Sequence, residues 1–342
     1  MTTMLTTYLD KLLAGRDLAA GEMRAAVETI LAQELPAVQI GAFLTALRIK
    51  GETVPELLGA ARTLRKHAAL IETGSVDVID TAGTGGDHAA TFNISTAAAF
   101  VAAAGGAAVA KHGNRSVSSK CGSADVLAEL GFNLDVAPEV MEEAIREIGI
   151  GFLFAAKLHP ALGKVARLRR ELKQRTIFNM LGPLVNPAGA TGQLLGVYAP
   201  ELTETFAGVL RELGVRRAMV VHGLDSLDEI TVTAPTRVSE LKDGLISTYE
   251  LYPEILIGQA YDAVDLVGGD AAENARILAA VLKDQAPNPA MRAITVLNAG
   301  AALYIAGKAE ELAEGVALAD AALGSGDAWR KLEQLIRYSH HE

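Results

Sequence analysis

The stretch best suited to chemistry runs from Asp80 to Asp125, where glycines and small polar residues are concentrated. Between Asp87 and Asp125 there is no Asp or Glu, although the whole chain has a formal net charge of −10. The same interval carries the cationic side chains of Lys111, Arg115 and Lys120. Local positive charge and many hydrogen-bond donors suit an anion with several oxygens, so we interpret this stretch as a polyphosphate site.

The first polar loop of this stretch follows a predicted strand. Residues 76–79 alternate between apolar and polar side chains, as in a half-buried strand. Gly83, Gly85 and Gly86 come shortly afterwards. Glycine lets the backbone adopt positive φ and bring its N–H groups close to a ligand, so we predict that this turn contacts the anion.

Two further loops complete the predicted anion site. Residues 93–96 precede an alanine-rich helix predicted over 97–104. They therefore lie at a helix N-terminus, where unpaired N–H groups and the helix dipole favour phosphate. A strand predicted over 107–110 leads into the polar loop 111–119. Because open α/β sheets bind ligands at the carboxyl ends of their strands, these loops are expected to face one crevice.

Several common sites are excluded by spacing. His88 stands where the dinucleotide-binding template requires a glycine. Gly163 and Lys164 are followed by Val165, so no Walker-type loop is present. Cys121 is the only cysteine, which leaves no zinc-ligand pattern.

The elements that position these loops divide the chain into two parts. Residues 1–70 show helical patterns only, and a capping box over 53–56 marks the start of the last helix of this part. Strand and helix patterns alternate from residue 76 onward. The predicted fold class is α/β: a small N-terminal all-helical domain, residues 1–70, and a larger α/β domain, residues 71–342, with a central, mostly parallel sheet.

Within the larger part, a helix is predicted over 138–148 and a strand over 230–233. The segment 157–175 is strongly basic and has a helical pattern. It is expected to return to the helical domain, so that about 160–190 contribute to that domain.

Composition narrows the class of protein. The excess of negative charge argues against nucleic acid as a partner. No apolar run reaches the length of a membrane span, and the N-terminus lacks the basic start and cleavage site of a signal peptide. A single cysteine fits a reducing compartment, so we expect a cytoplasmic protein that does not bind membranes.

With these motifs in place, the chain resembles the anthranilate phosphoribosyltransferase family of tryptophan biosynthesis over nearly its full length. The motifs that match lie, in order, at residues 83–87, 93–96, 111–115 with 118–119, 175–179, 182–184, 186–187 and 227–230. The resemblance implies an enzyme that transfers the 5-phosphoribosyl group from phosphoribosyl pyrophosphate to the amine of anthranilate, with release of pyrophosphate. It also implies a homodimer formed through the helical domain.

The resemblance implies the following site. Phosphoribosyl pyrophosphate is expected to contact Gly83, Gly86, Asp87, Thr91, Asn93, Ile94, Ser95, Thr96, Lys111, His112, Gly113, Asn114, Arg115, Ser116, Val117, Ser118, Ser119 and Ser123. Anthranilate is expected to contact Gly83, Asn114 and Arg169, because a guanidinium group suits a planar carboxylate. Mg²⁺ is expected at Ser95, Asp228 and Glu229, since adjacent carboxylates favour a cation and Mg²⁺ prefers oxygen ligands. No side chain is assigned as a catalytic acid or base.

Two alternatives stay open at this point: a pyrimidine-nucleoside phosphorylase and a non-catalytic relative that binds nucleic acid. The first is disfavoured by the acidic pair at 228–229, and the second by the net negative charge. The chain also departs from the family pattern at Ala156 and Arg167, where proline is common, and at Lys173, where glycine is common. Domain closure on the substrate is expected, with hinges near 70–80 and 180–195.

Overall fold

The computed structural model describes residues 4–32, 35–87, 89–116 and 120–340, with only the backbone of Met4, Lys164 and 166–170. The predicted positions Val117, Ser118 and Ser119 lie outside these ranges. The predicted class is confirmed: an N-terminal helical bundle precedes a larger α/β part with a mostly parallel sheet.

The N-terminal part consists of α1 (Met4–Leu13), α2 (Ala20–Ala32), α3 (Ala37–Lys50) and α4 (Val54–Lys66). The capping box is confirmed, because Glu56 accepts a hydrogen bond from the Thr53 backbone N–H at 2.8 Å. The basic segment forms α9 (Pro160–Leu172), which packs against α2 and α3.

Within the described ranges, strands β1 to β7 form one sheet in the order β3-β2-β1-β4-β5-β6-β7. Their bounds are β1 (Ile79–Asp80), β2 (Val109–Gly113), β3 (Ile150–Phe154), β4 (Gly192–Gly196), β5 (Arg217–Gly223), β6 (Thr236–Lys242) and β7 (Leu245–Leu251). In this order, the strands from β3 to β5 run parallel to one another. Strand β6 runs antiparallel to β5, and β7 runs antiparallel to β6. Strand order reverses at β1, since β2 lies on one side of it and β4 on the other.

The remaining helices are α5 (Ile94–Ala104), α6 (Ser123–Glu129), α7 (Pro138–Ile148), α8 (Ala155–Leu158), α10 (Ile177–Met180), α11 (Leu202–Glu212), α12 (Pro253–Ile257), α13 (Ala271–Leu282), α14 (Pro289–Ile305), α15 (Leu312–Gly324) and α16 (Asp327–Ser339). Helices α5 and α14 pack together beside β1 and β4, whereas α11 packs on β5 and β6 and against α4. None of the helices in the described ranges combines the length and apolar character needed to cross a bilayer.

Two groups of buried apolar side chains hold these layers together. One contains Ile79 and Val109 of the sheet with the inner faces of α5 and α14. The other joins the first four helices to apolar residues around Phe178 and Leu184 and to the opposite side of β4 and β5. The helical bundle therefore shares its core with later parts of the chain.

Three predicted strands are wrong in detail. The strand predicted over 107–110 lies at Val109–Gly113, so the first three residues of the predicted loop 111–119 belong to β2. The strand predicted over 76–79 reduces to Ile79 and Asp80, because only these residues align with the neighbouring strands. The strand predicted over 230–233 is not a strand. Instead, the Ile230 backbone N–H and C=O bind the side-chain amide of Asn298 at 3.0 and 2.8 Å, which replaces strand pairing.

Candidate functional site

The turn that contains Gly83, Gly85 and Gly86, called the glycine turn below, lies at the carboxyl end of β1, where the order of the parallel strands reverses. This point is the usual ligand crevice of an open α/β sheet. Gly85 and Gly86 have φ values of 65° and 86°, as the sequence predicts. The Thr84 N–H donates to the Gly196 carbonyl at 2.8 Å, and the Gly85 N–H donates to Oδ2 of Asp228 at 2.7 Å. The turn is thus tied to β4 and to the acidic pair.

Gly83 is required by a close approach rather than by its φ. A Cβ at this position would lie 2.8 Å from Oδ2 of Asp228 and 3.3 Å from the Gly196 carbonyl oxygen. The sequence predicts Gly83 as a ligand contact, and the structure adds that its lack of a side chain makes room for the carboxylate.

The N-terminus of α5 divides its side chains between the core and the site. Ile94 and Thr96 are buried, and the Thr96 hydroxyl has no hydrogen-bond partner among the described residues. Ser95 is partly exposed, and its backbone and side chain lie close enough to Glu229 to lower the pKa of that carboxyl group. The amide of Asn93 is engaged by the Cys121 carbonyl at 3.4 Å and by Nδ2 of Asn274 at 3.1 Å. Ser95 is therefore the side chain of this segment that faces the acidic residues.

Lys111 places a buried cation beside the first turn of α5. Its Nζ lies 3.4 Å from the Thr81 carbonyl oxygen, 3.3 Å from the Thr81 hydroxyl and 3.4 Å from Oγ of Ser95. Burial lowers the pKa of Lys111, whereas the negative charges of Asp80 and Glu229 oppose that shift.

Asp87, Asp228 and Glu229 form an acidic cluster opposite this lysine. Burial raises the pKa of Asp228 well above its usual range, and the charges of Asp87 and Glu229 raise it further. Burial likewise raises the pKa of Glu229 to about 8, against the lowering effect of Lys111. The three carboxyl groups thus lie close enough to repel one another when ionised.

His112 lies deeper than the sequence suggests. Its Nδ1 lies 3.1 Å from the Gly182 carbonyl oxygen, and its ring packs edge-on against His159 with 5.1 Å between centroids. Among the described residues, Nε2 of His112 has no hydrogen-bond partner. Burial lowers the pKa of His112 to about 4 and that of His159 to about 3, so both rings are neutral near pH 7.

The loop after β2 is folded around Asp125. The Asp125 carboxylate accepts from Nη1 of Arg115 at 3.0 Å and from the backbone N–H groups of Ser116 and Gly122 at 2.9 and 3.0 Å. Asn114 is exposed, and its Oδ1 accepts from the Arg115 N–H at 2.8 Å. Asp125 ends the stretch of sequence without acidic residues, and its hydrogen bonds stabilise the conformation of the loop.

The other predicted contacts flank this loop or lie apart from it. A Cβ on Gly113 would meet the Phe152 ring at 2.6 Å, and Ser123 begins α6 with its Oγ 3.5 Å from the Asn114 carbonyl oxygen. Thr91 pairs with Val267 in an isolated antiparallel bridge. Arg169 belongs to α9, and its side chain lies outside the described part of the structure.

Arg175 faces the site and is absent from the predicted ligand set, although it belongs to a matching motif. Its guanidinium group donates to the Gly86 carbonyl and lies 4.3 Å over the centre of the Tyr198 ring. Arg48 of α3 donates to the Arg175 carbonyl at 2.9 Å. This chain of contacts connects the helical bundle to the glycine turn.

The arrangement as a whole fits an anion with an associated cation. The glycine turn offers flexible backbone, and Lys111 offers positive charge next to Ser95. The acidic cluster provides carboxylate oxygens within reach of the same end of the sheet. In the described residues, no group of at least three His, Cys, Asp or Glu side chains has the arrangement of a metal site.

Comparison with known proteins identifies the family. Residues 75–329 match the family model of a glycosyl transferase family, a/b domain, and residues 6–68 match the helical bundle domain of a glycosyl transferase family. A curated anthranilate phosphoribosyltransferase from Syntrophobacter fumaroxidans is 56% identical over 98% of this chain and 99% of the relative.

Two solved structures agree with this match. Anthranilate phosphoribosyltransferase from Thermus thermophilus superposes with a TM-score of 0.92 at 41% identity, covering 97% of this chain and 99% of that one. The enzyme from Saccharomyces cerevisiae, in complex with PRPP and Mg, superposes with a TM-score of 0.90 at 27% identity, covering 99% and 98%. The chain therefore belongs to the anthranilate phosphoribosyltransferase family.

Proposed function

We propose that this chain transfers the 5-phosphoribosyl group of phosphoribosyl pyrophosphate to the amine of anthranilate and releases pyrophosphate, a step of tryptophan biosynthesis. The observation that carries the proposal is the meeting of the glycine turn, Lys111, the start of α5 and the acidic cluster at one end of the sheet. The family match over nearly the whole chain supplies the substrates.

The sugar diphosphate is proposed to lie along the loops after β1 and β2. The glycine turn and the N-terminus of α5 border this space, and Lys111 contributes its charge beside Ser95. The side chains of Ile94 and Thr96 are buried, and their N–H groups donate to the carbonyls of Phe92 and Asn93 at 2.8 and 3.1 Å. Ser95 is therefore expected to contribute most, through its hydroxyl beside Lys111. We propose that the other predicted residues, including 117–119, also contact phosphoribosyl pyrophosphate.

The acidic cluster suits Mg²⁺ on chemical grounds. The pKa of Asp228 is raised by burial and by its acidic neighbours Asp87 and Glu229. A divalent cation among these carboxyl groups would relieve their repulsion. We assign Ser95, Asp228 and Glu229 as the residues that would hold it. When bound, Mg²⁺ would supply charge neutralisation for the departing pyrophosphate.

The chain's own contribution is electrostatic and positional. The bond from the anomeric carbon to pyrophosphate breaks as the bond to the amine nitrogen forms, so negative charge grows on the leaving group, and the nitrogen then releases its extra proton to solvent or to a phosphate oxygen. Lys111 and the N-terminus of α5 are proposed to stabilise that charge. Gly83, Asn114 and Arg169 are proposed to hold anthranilate so that its amine meets the sugar. His112 and His159 are neutral near pH 7, so neither ring supplies a positive charge to the leaving group.

We also propose a cytoplasmic homodimer joined through the helical domain. Large apolar side chains are exposed there, with Val38 and Ile49 each 82% and Leu13 70% accessible. Such residues favour contact with a second copy. Leu13 lies on the exposed face of α1, whereas Leu5 and Leu12 lie on its buried face. We further propose that the boundary between the helical and α/β domains lies at 70/71 and that about 160–190 contribute to the helical domain.

The direct test is an assay with the purified chain, Mg²⁺, phosphoribosyl pyrophosphate and anthranilate, followed by loss of anthranilate fluorescence. The double variant Asp228→Asn, Glu229→Gln is expected to weaken the Mg²⁺ dependence and to lower activity strongly. The control Glu310→Gln, Glu311→Gln removes an adjacent exposed acidic pair and should behave as the wild type.

Other outcomes would contradict the proposal. No consumption of anthranilate at any Mg²⁺ concentration, together with phosphate-dependent cleavage of pyrimidine nucleosides, would favour the phosphorylase alternative. Unchanged activity and Mg²⁺ response in the Asp228, Glu229 double variant would show that the metal assignment is wrong.

A further inference from the structure

Asp80 is a buried carboxylate at the end of β1 that belongs to none of the proposed ligand sets. Its side chain is fully buried. Oδ1 accepts from the backbone N–H groups of Thr81 at 2.8 Å and His112 at 3.1 Å, and Oδ2 accepts from Nδ2 of Asn186 at 2.8 Å. A buried carboxylate is costly unless it is well bonded and paired, so its retention at this point needs a reason.

The hydrogen bonds of Asp80 join separate polar segments. Thr81 opens the glycine turn, His112 belongs to the loop end of β2, and Asn186 lies in the turn before β4. Asn186 in turn donates to the Ala110 carbonyl at 2.8 Å and accepts from the Ala188 N–H at 2.9 Å. One carboxylate therefore sets the relative positions of the two loops that are proposed to hold the sugar diphosphate.

The same contacts enclose Lys111. Thr81 supplies the carbonyl and hydroxyl that lie 3.4 and 3.3 Å from the lysine Nζ, and His112 follows the lysine directly in the chain. Asp80 thus holds the backbone N–H group of Thr81, whose oxygens lie beside Nζ of Lys111, and that of His112, which follows Lys111 in the chain. Its negative charge also balances the lysine, which otherwise has Glu229 as its acidic neighbour.

We propose that Asp80 is a positioning residue that fixes Lys111 and the two loops for the pyrophosphate group, so that its loss weakens phosphoribosyl pyrophosphate binding rather than anthranilate binding. This inference rests on the proposed function for the identity of the ligand. Loss of one charge-assisted hydrogen bond corresponds to about tenfold or more in affinity.

The test compares Asp80→Asn with the exchanged pair Asp80→Asn, Asn186→Asp. In the single variant, the new NH₂ group faces the NH₂ group of Asn186, so one contact becomes repulsive. In the exchanged pair, the amide at 80 can donate to the carboxylate at 186 and the charge stays within the same buried cluster, whereas the donation from residue 186 to the Ala110 carbonyl is lost. Asp77→Asn is the matched control, because Asp77 is exposed beside the same strand and pairs with Arg216 on the surface.

The Kd for phosphoribosyl pyrophosphate is measured by titration calorimetry, and the KM values of both substrates by anthranilate fluorescence. Asp80→Asn is expected to raise the Kd and KM for phosphoribosyl pyrophosphate by about tenfold or more while the KM for anthranilate changes less than about twofold. The exchanged pair is expected to recover part of the loss, because it restores the contact between residues 80 and 186 but not the one to Ala110, and Asp77→Asn is expected to match the wild type.

Several results would overturn the inference. These are equal increases in both KM values, an unchanged Kd in a variant with a lowered melting temperature, or failure of both the single variant and the exchanged pair to fold. If the wild type binds phosphoribosyl pyrophosphate without consuming anthranilate, the proposed function fails and the Kd ratio still decides the role of Asp80. If the wild type does not bind this ligand, the inference fails with it.

Discussion

A methyl group at position 83 would collide with the carboxylate of Asp228. In Gly83→Ala the new Cβ would lie 2.8 Å from Oδ2, whereas ordinary contacts begin at 3.4 Å, so the carboxylate must move by 3.4 − 2.8, or about 0.6 Å. The Gly196 carbonyl oxygen, 3.3 Å away, limits the escape of the methyl group on the other side. The variant therefore acts on the proposed metal ligand without changing any acidic residue.

The size of the effect follows from the bond that the shift breaks. Oδ2 of Asp228 accepts from the Gly85 N–H at 2.7 Å, and a hydrogen bond to a charged group contributes about 1.5–3 kcal/mol. Loss of this bond in the loaded enzyme corresponds to a fall in kcat/KM of about 10- to 150-fold. Because the altered group is a metal ligand in our proposal, the Mg²⁺ concentration for half-maximal activity should rise as well.

The assay is anthranilate fluorescence as a function of Mg²⁺ and phosphoribosyl pyrophosphate, with the melting temperature as a check on folding. Gly21→Ala in α2 is a suitable control, since a Cβ there meets nothing within 4 Å. A kcat/KM within about twofold of the wild type and an unchanged Mg²⁺ response would refute the link between Gly83 and the acidic pair.

Other predictions concern stability. Lys173 adopts a left-handed φ of 48° after α9, at a position where the family commonly has glycine, so Lys173→Gly should raise the free energy of unfolding by about 1 kcal/mol in urea titrations. Glu56 is fully buried, pairs with Lys50 at 3.0 Å and accepts from the Leu18 N–H at 2.9 Å; Glu56→Ala should cost about 3–5 kcal/mol by the same measurement. The folded-state pKa of Glu229, about 8, exceeds its ordinary value of 4.5, so ionisation disfavours the ligand-free fold. The free energy of unfolding should fall as pH rises between those values, and Glu229→Gln should reduce the slope.

Local signals made much of the fold predictable. The helix predicted over 138–148 has those bounds in the structure, because Pro138 opens it and Gly149 ends it with a left-handed φ of 75°. The glycine turn and the helix start at 93–96 were also readable, since both depend on residue types adjacent in sequence.

The hairpin of β6 and β7 was missed although a signal for it exists. Asp243 and Gly244 form its turn with φ values of 53° and 76°, and this dipeptide is a common hairpin turn. The strand predicted at 230–233 failed for another reason. Asn298 satisfies the backbone of Ile230 from almost seventy residues away, and no local pattern reveals such a partner.

At the site, too, local motifs are predictable from the sequence and contacts between distant segments are not. The motifs indicate Lys111 and the acidic pair, but they do not indicate that Asp80 and Asn186 connect the loops from beneath. Arg175 likewise reaches the Gly86 carbonyl only through the folding of α3 and the segment after α9. Contacts between distant segments depend on tertiary packing, and they account for most of what the sequence left unpredicted.

The shared core of the helical bundle has a consequence for how the chain is made. Phe43 and Leu47 of α3 belong to the same buried group as Phe178, Leu184 and Val220. A fragment that stops near residue 70 would leave these apolar surfaces uncovered, so it is expected to be insoluble when expressed alone. During synthesis, the first helices must likewise wait for β5 to leave the ribosome before their packing is complete.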